Sequence, residues 1–220
     1  MTKITRLKDP MSHSVLSVDA EKAIRLLMLT TAQHVRQEAV LSTVPRPRGR
    51  LRTLPTSSAS HQARTQATLL RLTSIIEAHV SNQLIRYVQP HIPGRRSAIL
   101  EDIYIDAEDK AIGSWPAKIE AYRRWFDINF RTYQNWQDVQ AMIDCRNAIA
   151  HGVGELTRRQ ARKSPEQLAK SLAMIAVRVN GTRLNVPEKA IRSSANAGRC
   201  FISWLDSQLS EKYTPSTSSL

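Results

Sequence analysis

Glycine is scarce in this 220-residue chain, with seven in all, and no GxGxxG, Walker or GxSxG pattern occurs. A nucleotide cofactor held by a glycine loop is therefore not expected. Two cysteines, Cys145 and Cys200, are too few for a disulfide framework or a four-cysteine zinc site. Each falls in a helical pattern and reads as a small buried hydrophobe. The six histidines are dispersed, with no HExxH or paired helical spacing, so no metal centre is expected either. Three Phe, five Tyr and four Trp make a thin aromatic complement, which argues against a β-sandwich or propeller. No apolar run approaches the roughly 18–20 residues of a membrane span, and the N-terminus carries no signal-peptide pattern. The chain reads as soluble and cytoplasmic, without a membrane partner.

What it does have is positive charge. Thirty-two Lys and Arg against nineteen Asp and Glu give a formal net charge of +13, so a polyanionic partner is the expectation. A hydrophobic fraction of 41% is enough for a packed core.

Periodicity places the elements. Ser17 and Asp19 open an amphipathic helix that runs to about residue 41. A Pro/Arg stretch follows, holding Arg46, Arg48, Arg50 and Arg52, and reads either as an RNA-contacting arm or as a solvated connector. Leu69, Leu72, Ile76, Val80, Leu84 and Val88 recur at three- and four-residue spacing and define a long helix over 62–88. Residues 95–113 are ambiguous, consistent with one short helix and a loop. Ser114-Trp115-Pro116 starts another helix with Ile119, Tyr122, Phe126 and Phe130 on one side. Trp136, Val139, Ile143 and Ala150 stripe the next, which stops at Gly152 and Gly154. Ser164-Pro165-Glu166-Gln167 reads as a capping-box start. Asn180-Gly181 suits the type I′ turn of a small hairpin near residues 174–186, and Pro187 opens a last helix. The fold class is all-α: an up-and-down bundle of four to five helices with one small β-hairpin. Three segments follow: 1–60 as N-terminal helix and linker, 61–213 as the helical domain, and 214–220 as a frayed tail.

One run, DCRNAIAHGVG at 144–154, carries chemistry. On a helix at 100° per residue with Val139 at zero, Arg146 falls at roughly −20°, on the apolar arc. Asn147 at roughly 80° and His151 at roughly 120° flank that arc. A buried arginine needs a partner or an anion. Glu77, alone in the apolar run LTSIIEAHV, is the carboxylate that suits it, either as a structural ion pair or as an orienting group. Asp144 reads as solvated. A histidine at a helix C-terminus beside an arginine suits phosphodiester chemistry. Arg146 would neutralise the phosphorane-like transition state, while His151 would take the 2′-OH proton or protonate the 5′-oxygen. Arg158, Arg159, Arg162 and Lys163 follow the run and are candidate RNA-backbone contacts, with a solvated basic face as the alternative. The four tryptophans read as core.

The segment Arg146-Asn147-Ala148-Ile149-Ala150-His151-Gly152 resembles the Arg-x4–6-His signature of the HEPN superfamily, and is most similar to its RiboL-PSP-HEPN-like branch. The spacing alone is weak, with about 0.6 chance occurrences in this composition. A second instance, Arg86 to His91, crosses a helix end and lacks the polar residue after the arginine. The Asn, the Ala-Ile-Ala spacer and the following glycine distinguish the first. The resemblance covers residues 62–212. It implies a helical bundle that dimerises to bring two motifs into one composite site. It also implies a metal-independent endoribonuclease of a toxin or antiphage system, with Arg146 and His151 catalytic and Asn147 positioning substrate. In some such toxins a tyrosine two residues after the histidine is modified by an antitoxin; Val153 stands there in this chain. Control by that modification is therefore not expected, which leaves a partner protein or an occluding segment, for which residues 1–60 are a candidate. The rival reading is a non-catalytic basic module that binds nucleic acid or a partner protein. A DNA-binding regulator is weaker still, because no exposed base-reading helix stands out.

Overall fold

A computed structural model describes residues 16–43, 57–89 and 98–213. The described residues form eight α-helices and one two-stranded antiparallel hairpin. The helices are α1 (Val18–Thr43), α2 (Ser57–Val88), α3 (Ala98–Ile112), α4 (Trp115–Phe126), α5 (Trp136–Gly152), α6 (Arg158–Lys163), α7 (Pro165–Met174) and α8 (Glu188–Tyr213). The strands are β1 (Arg178–Asn180) and β2 (Arg183–Asn185). The all-α bundle with a small hairpin is as the sequence pattern indicates. The helix count exceeds four to five: the ambiguous 95–113 region is largely one helix, and the basic run after the motif is another. No described helix is long and apolar enough to cross a membrane.

Helices α1, α2 and α8 pack together, and α5 lies against α2, α7 and α8. Leu27, Leu69, Leu72, Ile76, Phe201, Ile202 and Leu205 fill the centre. Gly198 allows the closest approach: a Cβ there would meet Ile76 Cδ1 at 2.6 Å and Leu27 Cδ1 at 3.2 Å. The N-terminus of α1 is pinned to α8. Asp206, 3% exposed, accepts from the Ser17 N–H at 2.9 Å and from its hydroxyl. At the other end, Glu38 accepts from Arg64 Nε at 2.5 Å and pairs with His61 Nδ1 at 2.8 Å. A boundary at residue 60 thus divides the sequence but not the core, since α1 is part of the same bundle.

Local signals hold with small shifts. Ser114 caps α4, its side chain accepting from the Ala117 N–H at 3.3 Å. Helix α4 ends at Phe126 with Asp127 left-handed at φ 52°, so Phe130 sits in a following 3₁₀ turn, still buried. The capping box lies at Thr157 and Gln160, opening α6. Ser164 precedes α7 without capping it through its side chain. In the hairpin Asn180 pairs with Arg183, so the loop is Gly181-Thr182, one residue later than the Asn-Gly reading. Gly181 has φ 62° and Asn180 does not, the pattern of a type II′ turn with glycine first. Trp136 and Trp204 join Phe130, Tyr133 and Phe201 in an aromatic cluster, whereas Trp125 is 37% exposed. Cys145 is buried, which pushes its thiol up to about 12, and Cys200 is half-buried.

Candidate active site

Helix α5 turns Val139, Ala141, Met142, Ile143, Cys145, Ala148 and Ile149 inward. Ala150 is exposed and Arg146 is half-buried, so Arg146 lies at the margin of the buried face and not at its centre. Of the expected stripe, Val139 and Ile143 are buried and Trp136 packs against the core, while Ala150 faces out because the buried face rotates towards Cys145, Ala148 and Ile149 in the last turns. Alanine and cysteine carry the packing at the C-terminal half of α5, and their faces are not marked by size or strong hydropathy.

The end of α5 is clamped. Val153 takes the left-handed conformation, φ 52°, and Gly154 follows at φ 84°. A β-branched residue there costs about 1–2 kcal/mol. The hairpin holds it in place: Leu184 N–H donates to Gly154 O at 2.9 Å, and Leu156 N–H donates to Thr182 O at 2.7 Å. Gln62 of α2 anchors the hairpin exit by accepting from the Val186 N–H at 2.9 Å. The hairpin thereby fixes the turn that carries His151.

Arg146, Asn147 and His151 come together. Arg146 Nη1 lies 3.3 Å from Asn147 Oδ1 and 3.3 Å from His151 Nε2. A guanidinium only donates, so as a hydrogen bond this contact requires the tautomer with the Nε2 lone pair towards Arg146. Among the described residues these are Arg146's hydrogen-bond partners, and no carboxylate pairs with it. All three residues line a cleft of about 640 Å³, within the range of small-molecule and nucleotide sites. Helix α4 contributes Trp115, Pro116 and Ile119 to its wall, and Arg159 and Gln160 close it from α6.

Glu77 also lines the cleft, but its partner is Lys118, not Arg146. Lys118 is 1% exposed; its Nζ donates to Glu77 Oε1 at 3.1 Å and to Ile112 O at 2.5 Å. The pair ties α2 to the α3–α4 turn and so shapes the cleft wall. Lys118 lies 41 positions from Glu77 and carries no local signal of that pairing.

Among the downstream basic residues, Arg158, Arg159 and Arg162 are all exposed on α6, and Arg159 also lines the cleft. Lys163 ends α6. Arg46, Arg48, Arg50 and Arg52 lie outside the described residues. Asp144 departs from its reading as solvated: it is half-buried in the cleft, and burial raises its carboxyl above the usual range, partly offset by a hydrogen bond from Gln140. Gln160 is committed to structure, donating to Asp144 O at 2.9 Å and accepting from the Thr157 N–H at 3.0 Å. Among the described residues no group of three or more His, Cys, Asp or Glu could hold a metal ion. No family model, no curated protein and no solved structure matches the chain.

Proposed function

We propose that this chain is an endoribonuclease that cleaves RNA without a metal, through Arg146 and His151, with Asn147 positioning the substrate. The observation that carries the reading is the 3.3 Å approach of Arg146 Nη1 to His151 Nε2 at a cleft where, among the described residues, no carboxylate pairs with the arginine. A bound phosphate would take the place of this contact: Arg146 donates to it instead, and the Nε2 lone pair of His151 so released faces the adjacent 2′-OH. His151 takes the 2′-OH proton, the 2′-oxygen attacks phosphorus, and the bond to the 5′-oxygen breaks with the proton returned to it. Arg146 stabilises the charge that builds on the equatorial oxygens. Products are a 2′,3′-cyclic phosphate and a 5′-hydroxyl. The resemblance to HEPN bundles supports the same assignment, and with it a homodimer, a toxin or antiphage role, and an activating or inhibiting protein partner.

The test is cleavage of a mixed RNA substrate in EDTA by wild type, Arg146→Ala and His151→Ala, each checked for helicity. Cleavage by wild type alone, leaving 2′,3′-cyclic ends, is the expected result. RNA binding without cleavage by any of the three would refute the reading and favour the non-catalytic basic module. The exposed arginines of α6 supply the surface for that second reading.

A further inference from the structure

We propose that the cleft beside Arg146 and His151 is a base-recognition subsite for guanine, read by the Asp144 carboxylate. That the base belongs to an RNA rests on the endoribonuclease reading above.

Asp144 is out of place for backbone binding. Arg146 and Arg159 line the same cleft, yet Asp144 pairs with neither among the described residues. Among the described residues its side chain accepts one hydrogen bond, a long one from Gln140 Nε2 at 3.4 Å. A carboxylate repels phosphate, so in a cleft that attracts RNA its suitable ligand is a neutral group rich in donors. Among the bases, guanine alone presents two adjacent donors, N1–H and N2–H₂, on its Watson–Crick edge. These match the two oxygens of one carboxylate, the fork geometry that makes such contacts strong. The other bases set each donor beside an acceptor, which a carboxylate opposes.

The surroundings fit a flat heterocycle. Trp115, Pro116 and Ile119 give the cleft an apolar wall, the kind of surface on which single-stranded RNA bases lie. Trp115 is 7% exposed, and its Nε1 is buried without an acceptor. Arg146 and Arg159 are placed to take the flanking phosphates. Folding does little for an ionised Asp144: burial disfavours its charged form, the Gln140 hydrogen bond offsets this only in part, and among the described residues no cation pairs with it. A side chain that costs stability and lines a cleft marks function more often than architecture.

The four nucleoside 3′-monophosphates, titrated calorimetrically into the full chain and its Asp144→Asn variant, test the subsite without requiring catalysis. Guanosine 3′-monophosphate is expected to bind about tenfold or more tighter than the other three. That margin should disappear in Asp144→Asn, while the variant's melting temperature at pH 7 stays at or above that of wild type. Four nucleotides binding alike, or not at all, would overturn the proposal, as would a guanine preference that survives Asp144→Asn. In parallel, thymidine oligonucleotides holding one ribonucleotide, either G, A, C or U, are offered for cleavage in EDTA. Guanine-selective binding with no cleavage overturns the endoribonuclease reading and leaves the subsite standing. Cleavage indifferent to the base, with no selective binding, overturns the subsite and leaves the endoribonuclease.

Discussion

Replacing Glu77 by Gln tests what holds the cleft in shape. The substitution keeps the size of the side chain and an oxygen for Lys118 Nζ but removes the charge that balances it. Lys118 is 1% exposed, so water cannot take over the role of the carboxylate. Removing one partner of a fully buried pair costs about 3–5 kcal/mol. The Glu77 side chain is 26% exposed and Gln retains a hydrogen bond, so about 2 kcal/mol is expected here. For a chain of this size that lowers the melting temperature by about 4–8 °C. Lys118→Met alone should cost about 1 kcal/mol, because Glu77 can still be hydrated from the cleft while the Ile112 carbonyl loses its donor. In the double variant the uncompensated buried charge is gone, and stability should return to within about 1 kcal/mol of wild type. Urea denaturation of all four proteins gives the coupling directly, about 2 kcal/mol or more. Additivity of the two single effects to within about 0.5 kcal/mol would refute the account. RNA cleavage by the double variant separates two roles for Glu77. Recovery of cleavage along with stability means Glu77 acts through Lys118. A cleavage defect that persists in a re-stabilised protein would mean that Glu77 orients Arg146 after all.

Two further predictions concern the attachment of α1. Arg64 first, and His61 after it, hold the Glu38 carboxyl at about 2, against an ordinary value of 4.5. A depressed carboxylate contributes stability above its unfolded value and loses it as pH falls through 4.5 towards 2, so Glu38→Gln should cost on the order of 2 kcal/mol at pH 6 and only about 0.4 kcal/mol near pH 2. Equal urea midpoint differences at the two pH values would contradict this. Gly198→Ala gains about 1 kcal/mol of helix propensity but drives a methyl to 2.6 Å from Ile76 Cδ1, an overpacking cost of about 1–3 kcal/mol. Adding Ile76→Val removes that carbon, so the double variant should be more stable than Gly198→Ala alone; a double variant less stable than either single would sink the packing argument.

The sequence by itself determined the elements and the catalytic candidates. Period-3.6 patterns located α1, α2, α4, α5 and α8, because one apolar face per helix is a local property of the chain. Arg146, Asn147 and His151 sit within six consecutive positions of α5, so helix geometry alone nearly brings them together, and the structure shows them in contact. Ser114 and Gly181 were legible for the same reason, since a cap and a tight turn use only near neighbours.

Tertiary structure decided the rest. Glu77 could have served Arg146 or another cation, and only the docking of α2 against α4 gave it to Lys118. Asp144 looked like a solvated residue until α4 and α6 closed the cleft around it. The clamp from β2 onto Gly154 joins residues 30 positions apart. It offsets the strain at Val153, which no local rule would place in a left-handed conformation. The physical reason is the same in each case. Periodicity states which face of a helix avoids water, whereas the partner of a polar group at the edge of that face is set by how closely small residues such as Ala148 and Gly198 let the helices approach. That distance is a property of the packed bundle and of no single segment.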